Sequence, residues 1–202
     1  MPVVDTFLTI KGDATSLLKE KGSKFIGYAS PVQNETEAKT TLERIRKKQR
    51  DTTHNCWAYR IGVGDTVKDI SSDDGEPSGS AGAPMLALIT GAGLTNLIVI
   101  VTRYFGGTNL GVGGLRRAYG GCVKLLIENA TLIEQTIRND VTLLIDYPLL
   151  GTVLRVASRF KADVQQDHEA GKMLLTVSVR LSETEKFRAE LIDATGGAVL
   201  FK

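Results

Sequence analysis

The sequence predicts an α+β protein of two domains, and three observations carry that prediction. The last third of the chain alternates strand and helix patterns in the order βαββαβ. The first part mixes short alternating strands with helical spacing and holds one run, Leu97 to Val101, that is apolar at every position. Near 133–139 the apolar pattern breaks at Glu134-Gln135-Thr136, which separates a domain at 1–134 from one at 139–202. A length of 202 residues allows either one large domain or two small ones.

Along the first domain, strands at about 14–20 and 23–32 turn around Lys21-Gly22. A helix at 35–50 follows, with Asn34 as its cap and Glu37 three residues on. A strand at about 54–61 leads into a polar loop and a short helix near 80–90. The run at 97–101 reads as a strand covered on both faces, and a helix at about 113–130 closes the domain. In the second domain Val141, Leu143, Ile145 and Tyr147 alternate as a half-buried strand, and Pro148 suits a first helical turn. Leu150, Val153, Leu154, Ala157 and Phe160 recur at helical spacing. A strand at about 163–168 turns through Glu169-Ala170-Gly171-Lys172 into a third, alternating from Met173 to Leu181. Ser182 and Glu185 form a capping box for a helix ending at Gly196-Gly197, and Ala198 to Phe201 supply the last strand.

Composition narrows the classes of function. With 42% hydrophobic and 24% charged residues the chain is an ordinary folded one, which excludes disorder. A net charge of +2, from 25 Lys and Arg against 23 Asp and Glu, argues against holding nucleic acid by bulk charge alone. Two cysteines, Cys56 and Cys122, make neither a disulfide framework nor a four-thiolate zinc site, which fits a reducing cytoplasm. Met1-Pro2-Val3-Val4-Asp5 lacks the basic and apolar regions of an export signal. The apolar runs 84–89 and 97–101 fall far short of the ~20 residues of a membrane span.

Charge and glycine are distributed unevenly. Residues 77–127 contain no Asp or Glu, and their only charged groups are Arg103, Arg116, Arg117 and Lys124. Residues 75–121 hold 12 of the 21 glycines, so the stretch is both cationic and unusually free to adopt positive φ. Its centre, RYFGGTNLGVGGLRRAY at 103–119, joins a buried strand to a helix, where bare N–H groups favour an anion. The candidate anion-binding residues are Arg103, Tyr104, Gly106, Gly107, Gly111, Gly113, Gly114, Arg116 and Arg117. Arg116 and Arg117 fall in or near the first helical turn, where cations oppose the dipole by ~0.3–1 kcal/mol each and call for a negative partner. Two partners are open. Either the acidic loop Asp73-Asp74-Gly75-Glu76-Pro77-Ser78-Gly79 folds over the arginines, or an external phosphate or carboxylate takes the site. The two are compatible, with Lys24, His54, Asp74, Glu76 and Ser78 as a rim. Neither a P-loop nor the G-x-G-x-x-G dinucleotide fingerprint occurs, so no cofactor is expected.

Three other features have bland explanations. His54 and Cys56 share one face of their strand, but a buried thiol beside a hydrogen-bonded histidine is the commoner arrangement than a nucleophile and its base. His168 has no ligand spacing, so no metal site is expected. Arg44, Arg46, Lys47, Lys48 and Arg50 suit the C-terminal end of the helix dipole, with Glu43 and Lys47 at pairing distance; a nucleic-acid footprint is the secondary reading.

RYFGG, then Leu110-Gly111, then GGL-x-RAY at 113–119, resembles the signature of the YigZ/IMPACT family. The resemblance extends to HNCWAY at 54–59, to the 73–85 segment DDGEPSGSAGAPM and to Lys24-Phe25-Ile26, and covers almost the whole chain. Ser80 stands where a threonine is frequent and keeps the hydroxyl. The resemblance implies an N-terminal α+β domain similar to a ribosomal protein's second domain and to domain IV of elongation factor G. It also implies a C-terminal ferredoxin-like domain similar to domain V of that factor. Eukaryotic relatives act in translational control by competing for the activator of a starvation-responsive initiation-factor kinase. They use a further domain whose pattern is not in this sequence, so that partner is not carried over.

Three functions follow as expectations. The first is a cytoplasmic protein that binds RNA, a ribosome-associated partner or translation factors through phosphate contacts at Arg103, Arg116, Arg117 and the 106–114 loop, with Tyr104 and Phe105 offering base stacking. The second is an enzyme on a small phosphorylated or anionic substrate, with Asp74 or Glu76 as base and His54 as acid or base. The third is a protein-interaction regulator. Binding without catalysis is the preferred reading.

Overall fold

The apolar run at Leu97–Val101 lies inside β6 (Leu97–Tyr104), the central strand of a five-stranded antiparallel sheet. The computed structural model describes residues 5–49 and 52–202. These divide into two units, Phe7–Gln135 and a second made of Asp5, Thr6 and Thr136–Lys202.

The first unit contains β1 (Thr6–Ile10), β2 (Ala14–Glu20), β3 (Ser23–Pro31), α1 (Glu35–Lys48), β4 (His54–Ile61), β5 (Lys68–Ser72), α2 (Gly82–Gly91), β6, α3 (Gly111–Asn129) and β7 (Leu132–Thr136). Its main sheet runs in the order β2-β3-β6-β4-β5, and β1 pairs with β7 in a separate two-stranded sheet. Alternation explains why every residue of the β6 run is apolar. Ile98 and Ile100 face α1, packing with Leu42 and Ile45, while Leu97, Val99 and Val101 face α2 and α3. Both faces of the strand are therefore core, as the unbroken run predicts. The cap of α1 also follows the sequence: the Asn34 side chain accepts from the Glu37 N–H at 2.9 Å, and Glu37 accepts in return from the Gln33 N–H at 2.8 Å.

The second unit contains β8 (Arg138–Ile145), α4 (Leu150–Arg159), β9 (Asp163–Glu169), β10 (Lys172–Arg180), α5 (Thr184–Ala194) and β11 (Leu200–Phe201). The sheet order β11-β8-β10-β9 is antiparallel throughout, which is the split βαββαβ arrangement read from the sequence. Val141, Leu143 and Ile145 on β8 and Met173, Leu175, Val177 and Val179 on β10 share one core with Val153 and Phe187 from the helices.

Four local expectations are corrected. The segment expected as a linker at 133–139 is strand on both sides of Ile137, although the boundary between the two units, between Gln135 and Thr136, falls inside it. The polar loop before α2 includes β5, an edge strand too polar to show alternation. Ser182 does not cap α5: its N–H and hydroxyl both donate to the Asp5 carboxylate, at 2.8 and 2.5 Å, and a charged acceptor outcompetes the helix terminus. Helix α3 starts at Gly111 rather than near 113.

Candidate functional site

The loop between β6 and α3 is shaped by close backbone approach. A Cβ on Gly106 would lie 1.9 Å from the Gly22 carbonyl carbon in the β2–β3 turn, so only glycine fits, and the Gly106 N–H donates to Ser23 Oγ at 3.1 Å. Gly107 and Gly111 take φ of +85° and +68°, whereas Gly113 and Gly114 are ordinary helical residues. The loop from Phe105 to Asn109 is exposed, as are Gly111, Val112 and Gly113. No side chain caps α3 and no acidic residue lies in its first turn, so the positive end of its dipole is uncompensated by its own sequence.

The arginines separate into different roles. Arg103 is only 6% exposed, with Nη1 donating to Glu76 Oε1 at 2.8 Å. Tyr119 Oη donates to the same oxygen at 2.8 Å, and the guanidinium carbon lies 5.6 Å from the Phe25 ring and 5.4 Å from the Phe105 ring. This corrects two expectations: Arg103 does not face an external anion and Glu76 is not a rim residue, because each neutralises the other in the interior. Arg116 and Arg117 lie in the second turn of α3, not the first, since the helix begins earlier than the apolar pattern suggests. The dipole penalty is correspondingly smaller there. Arg116 Nε donates to the Gly79 carbonyl at 2.9 Å, whereas Arg117 is exposed and makes no ion pair among the described residues.

The acidic loop does fold over, but it serves the backbone more than the arginines. Asp73 accepts from the N–H groups of Gly79, Ala81 and Gly82 at 2.8–2.9 Å. Burial works against its ionisation, but these three donors and the nearby Arg116 outweigh burial and hold its pKa below the ordinary aspartate value. Asp74 takes Arg46 Nη2 at 2.6 Å on one oxygen and the Asn55 N–H at 2.7 Å on the other. Ser78 is exposed on the same loop. Arg46 and Tyr119 are partners that the sequence reading missed; their separations from Asp74 and Glu76, at 28 and 43 residues, leave no local signal.

The Cys/His pair is held by carbonyls of the acidic loop. His54 Nδ1 donates to the Asp74 carbonyl at 2.8 Å, and Cys56 Sγ donates to the Asp73 carbonyl at 2.9 Å. Burial pushes the Cys56 thiol up to about 12, which disfavours the thiolate that nucleophilic chemistry needs. Lys24 and Tyr104 do not join the glycine loop's helix side. They pair across β3 and β6 on the sheet face that carries α1, and Tyr104 Oη donates to Gln49 Oε1 at 2.8 Å. Of the basic run, Arg44 meets Asp13 and Arg46 meets Asp74, while Arg50 lies outside the described residues. Among the described residues no three His, Cys, Asp or Glu groups gather to hold a metal, and no helix is long and apolar enough to cross a membrane.

The elements that build this region, from the β2–β3 turn to most of α3, coincide with the match to the Impact N-terminal domain at residues 21–127. The chain is 32% identical to the IMPACT family member YvyE of Bacillus subtilis, over 96% of this chain and 89% of that one. It is 30% identical to the IMPACT family member YigZ of Escherichia coli, over 97% of each. A crystal structure described as that of a hypothetical protein superposes with a TM-score of 0.78 at 30% identity, covering 98% of this chain and 97% of the other. Together the domain match and the near full-length relatives show that the chain belongs to the IMPACT family.

Proposed function

We propose that this protein is a cytoplasmic binding protein of translational regulation that holds RNA by its phosphates at the 106–117 segment, without catalysis. The observation that carries the reading is the uncapped start of α3, exposed at Gly111–Gly113, with Arg117, one turn further along, exposed and without an ion pair among the described residues. Bare N–H groups and an exposed guanidinium suit a phosphate oxygen, and the phosphodiester backbone presents such oxygens in series. Membership of the IMPACT family supports the translational setting. The likeness of the two units to domains IV and V of elongation factor G belongs to the same reading. Arg103 has no part in it, because its charge is neutralised by Glu76.

The test is fluorescence anisotropy of a labelled single-stranded RNA across a range of KCl concentrations. Wild type is expected to bind with a log–log salt slope of about −0.7 per phosphate contacted. Arg116→Ala/Arg117→Ala is expected to bind more weakly, with a slope shallower by up to about 1.4. Equal binding by the two proteins, or none by wild type, overturns the proposal.

A further inference from the structure

The sheet face that carries α1 is only half covered. Cross-strand register lays three rows over β2, β3 and β6: Thr15, Tyr28 and Ile100; Leu17, Ile26 and Thr102; Lys19, Lys24 and Tyr104. Helix α1 reaches the first row, where Ile45 and Ile100 share a buried cluster with Tyr28 against it. Beyond it Leu17 is 53% exposed, Ile26 and Tyr104 are half-buried, and Lys24 is exposed.

Two hollows of about 250 and 500 Å³ adjoin on this face, sharing Thr15, Tyr28 and Lys48 in their walls. Their floor is apolar, from Leu17, Ile26, Tyr28 and Ile100, and their cations are Lys24, Arg44 and Lys48. The one carboxylate in either wall, Asp13, is engaged by Ser30 and by Arg44 at 3.3 Å. Lys24 and Lys48 have no ion pair among the described residues. Gln49 holds both tyrosines at once: its Nε2 donates to Tyr28 Oη, and its Oε1 accepts from Tyr104 Oη. The rings are thus pinned before any ligand arrives, which lowers the ordering cost of binding.

A shallow apolar floor with fixed tyrosines at its border and lysine ammonium groups in its walls matches a chain of flat bases carrying phosphates. Tyr104 is followed in the chain by the 105–110 loop, while the groove itself lies on the sheet face opposite α3. We infer that this groove is a docking surface for single-stranded RNA, whose bases lie over Leu17, Ile26 and the tyrosine edges while Lys24 and Lys48 meet its phosphates. The inference rests on the RNA reading and names a second, independent contact surface for the same ligand.

The test uses the full chain and a labelled oligouridylate, with anisotropy read over KCl concentration for wild type, Lys24→Glu/Lys48→Glu and Arg116→Ala/Arg117→Ala. An oligonucleotide carrying 5-iodouridine adds photocross-linking, with the modified peptides identified by mass spectrometry. The lysine variant is expected to melt like wild type but to bind about tenfold more weakly or worse, with a salt slope shallower by at least about 1.4. Cross-links are expected on Tyr28 or Tyr104. A lysine variant that binds like wild type, with cross-links confined to 105–117, overturns the groove and leaves the loop standing. Loss in the lysine variant alone supports the groove and removes the loop. Competition by uridine monophosphate at the oligonucleotide's own concentration overturns a strand-docking surface in favour of a mononucleotide pocket. Absence of binding by wild type overturns both readings.

Discussion

Arg103 and Glu76 carry charges that, taken singly, suit a ligand site, and the fold places them on each other instead. Their side chains are 7% and 3% exposed, so the pair stands in a medium where an unpartnered charge is costly. Replacing one member strands the other. Glu76→Gln or Arg103→Met is therefore expected to cost about 3–5 kcal/mol, and the double variant less than the two losses summed. Urea unfolding of the three variants checks this, and additive losses would disprove the coupling. The acidic loop was legible as a possible partner for arginines. Which carboxylate meets which arginine was not, because Arg103 and Glu76 are 27 residues apart and meet only through the packing of β6 beneath the loop.

Helix starts were legible where the cap is local and illegible where it is remote. Asn34 and Glu37 sit three residues apart and form the cap their spacing implies. Helix α2 has no side-chain cap at Ala81; Asp73, eight residues earlier, supplies the acceptor for the N–H groups that open it. Asp73 has a depressed pKa in the folded state, so its contribution is present above the unfolded aspartate value. It is lost as pH falls through the lower folded value. Asp73→Asn is expected to lower stability at pH 7 by about 1 kcal/mol and to flatten the acid limb of the stability curve, with the two proteins converging at low pH. Thermal melts between pH 2 and 7, bounds chosen to bracket the aspartate titration at about 3.9, check it; a constant difference across that range refutes it. For α3 the glycines hid the boundary, since Gly111 at φ +68° continues into the helix although its residue type reads as loop.

Across the chain, the two units differ in how much of their architecture the pattern of residues announces. In Thr136–Lys202 β8 and β10 each pack one face on one core, so strict alternation marks them and helical spacing marks α4 and α5. That closed core predicts autonomy: a fragment of residues 136–202 is expected to show dispersed amide resonances and one cooperative thermal transition by circular dichroism. A broad, non-cooperative melt would show that its core is incomplete without the rest of the chain. In Phe7–Gln135 the central strands were legible, but the short β1–β7 pair and the edge strand β5 were not; β5 is a polar edge strand that needs no hydrophobic period, and the pairing of β1 with β7 joins residues more than 120 positions apart.

The sequence by itself determined the mixed α+β class, the βαββαβ order of the second unit, most helices and strands of the first, and the segment where glycine and arginine concentrate. These depend on periodicity and composition, which are local quantities. Tertiary contacts alone set Arg103 on Glu76, Arg116 on a carbonyl with Arg117 exposed beside it, and Lys24 and Tyr104 on the opposite face of the sheet. The reason is physical: a charge's role is set by the neighbours that desolvate or neutralise it, and those neighbours come from distant parts of the chain.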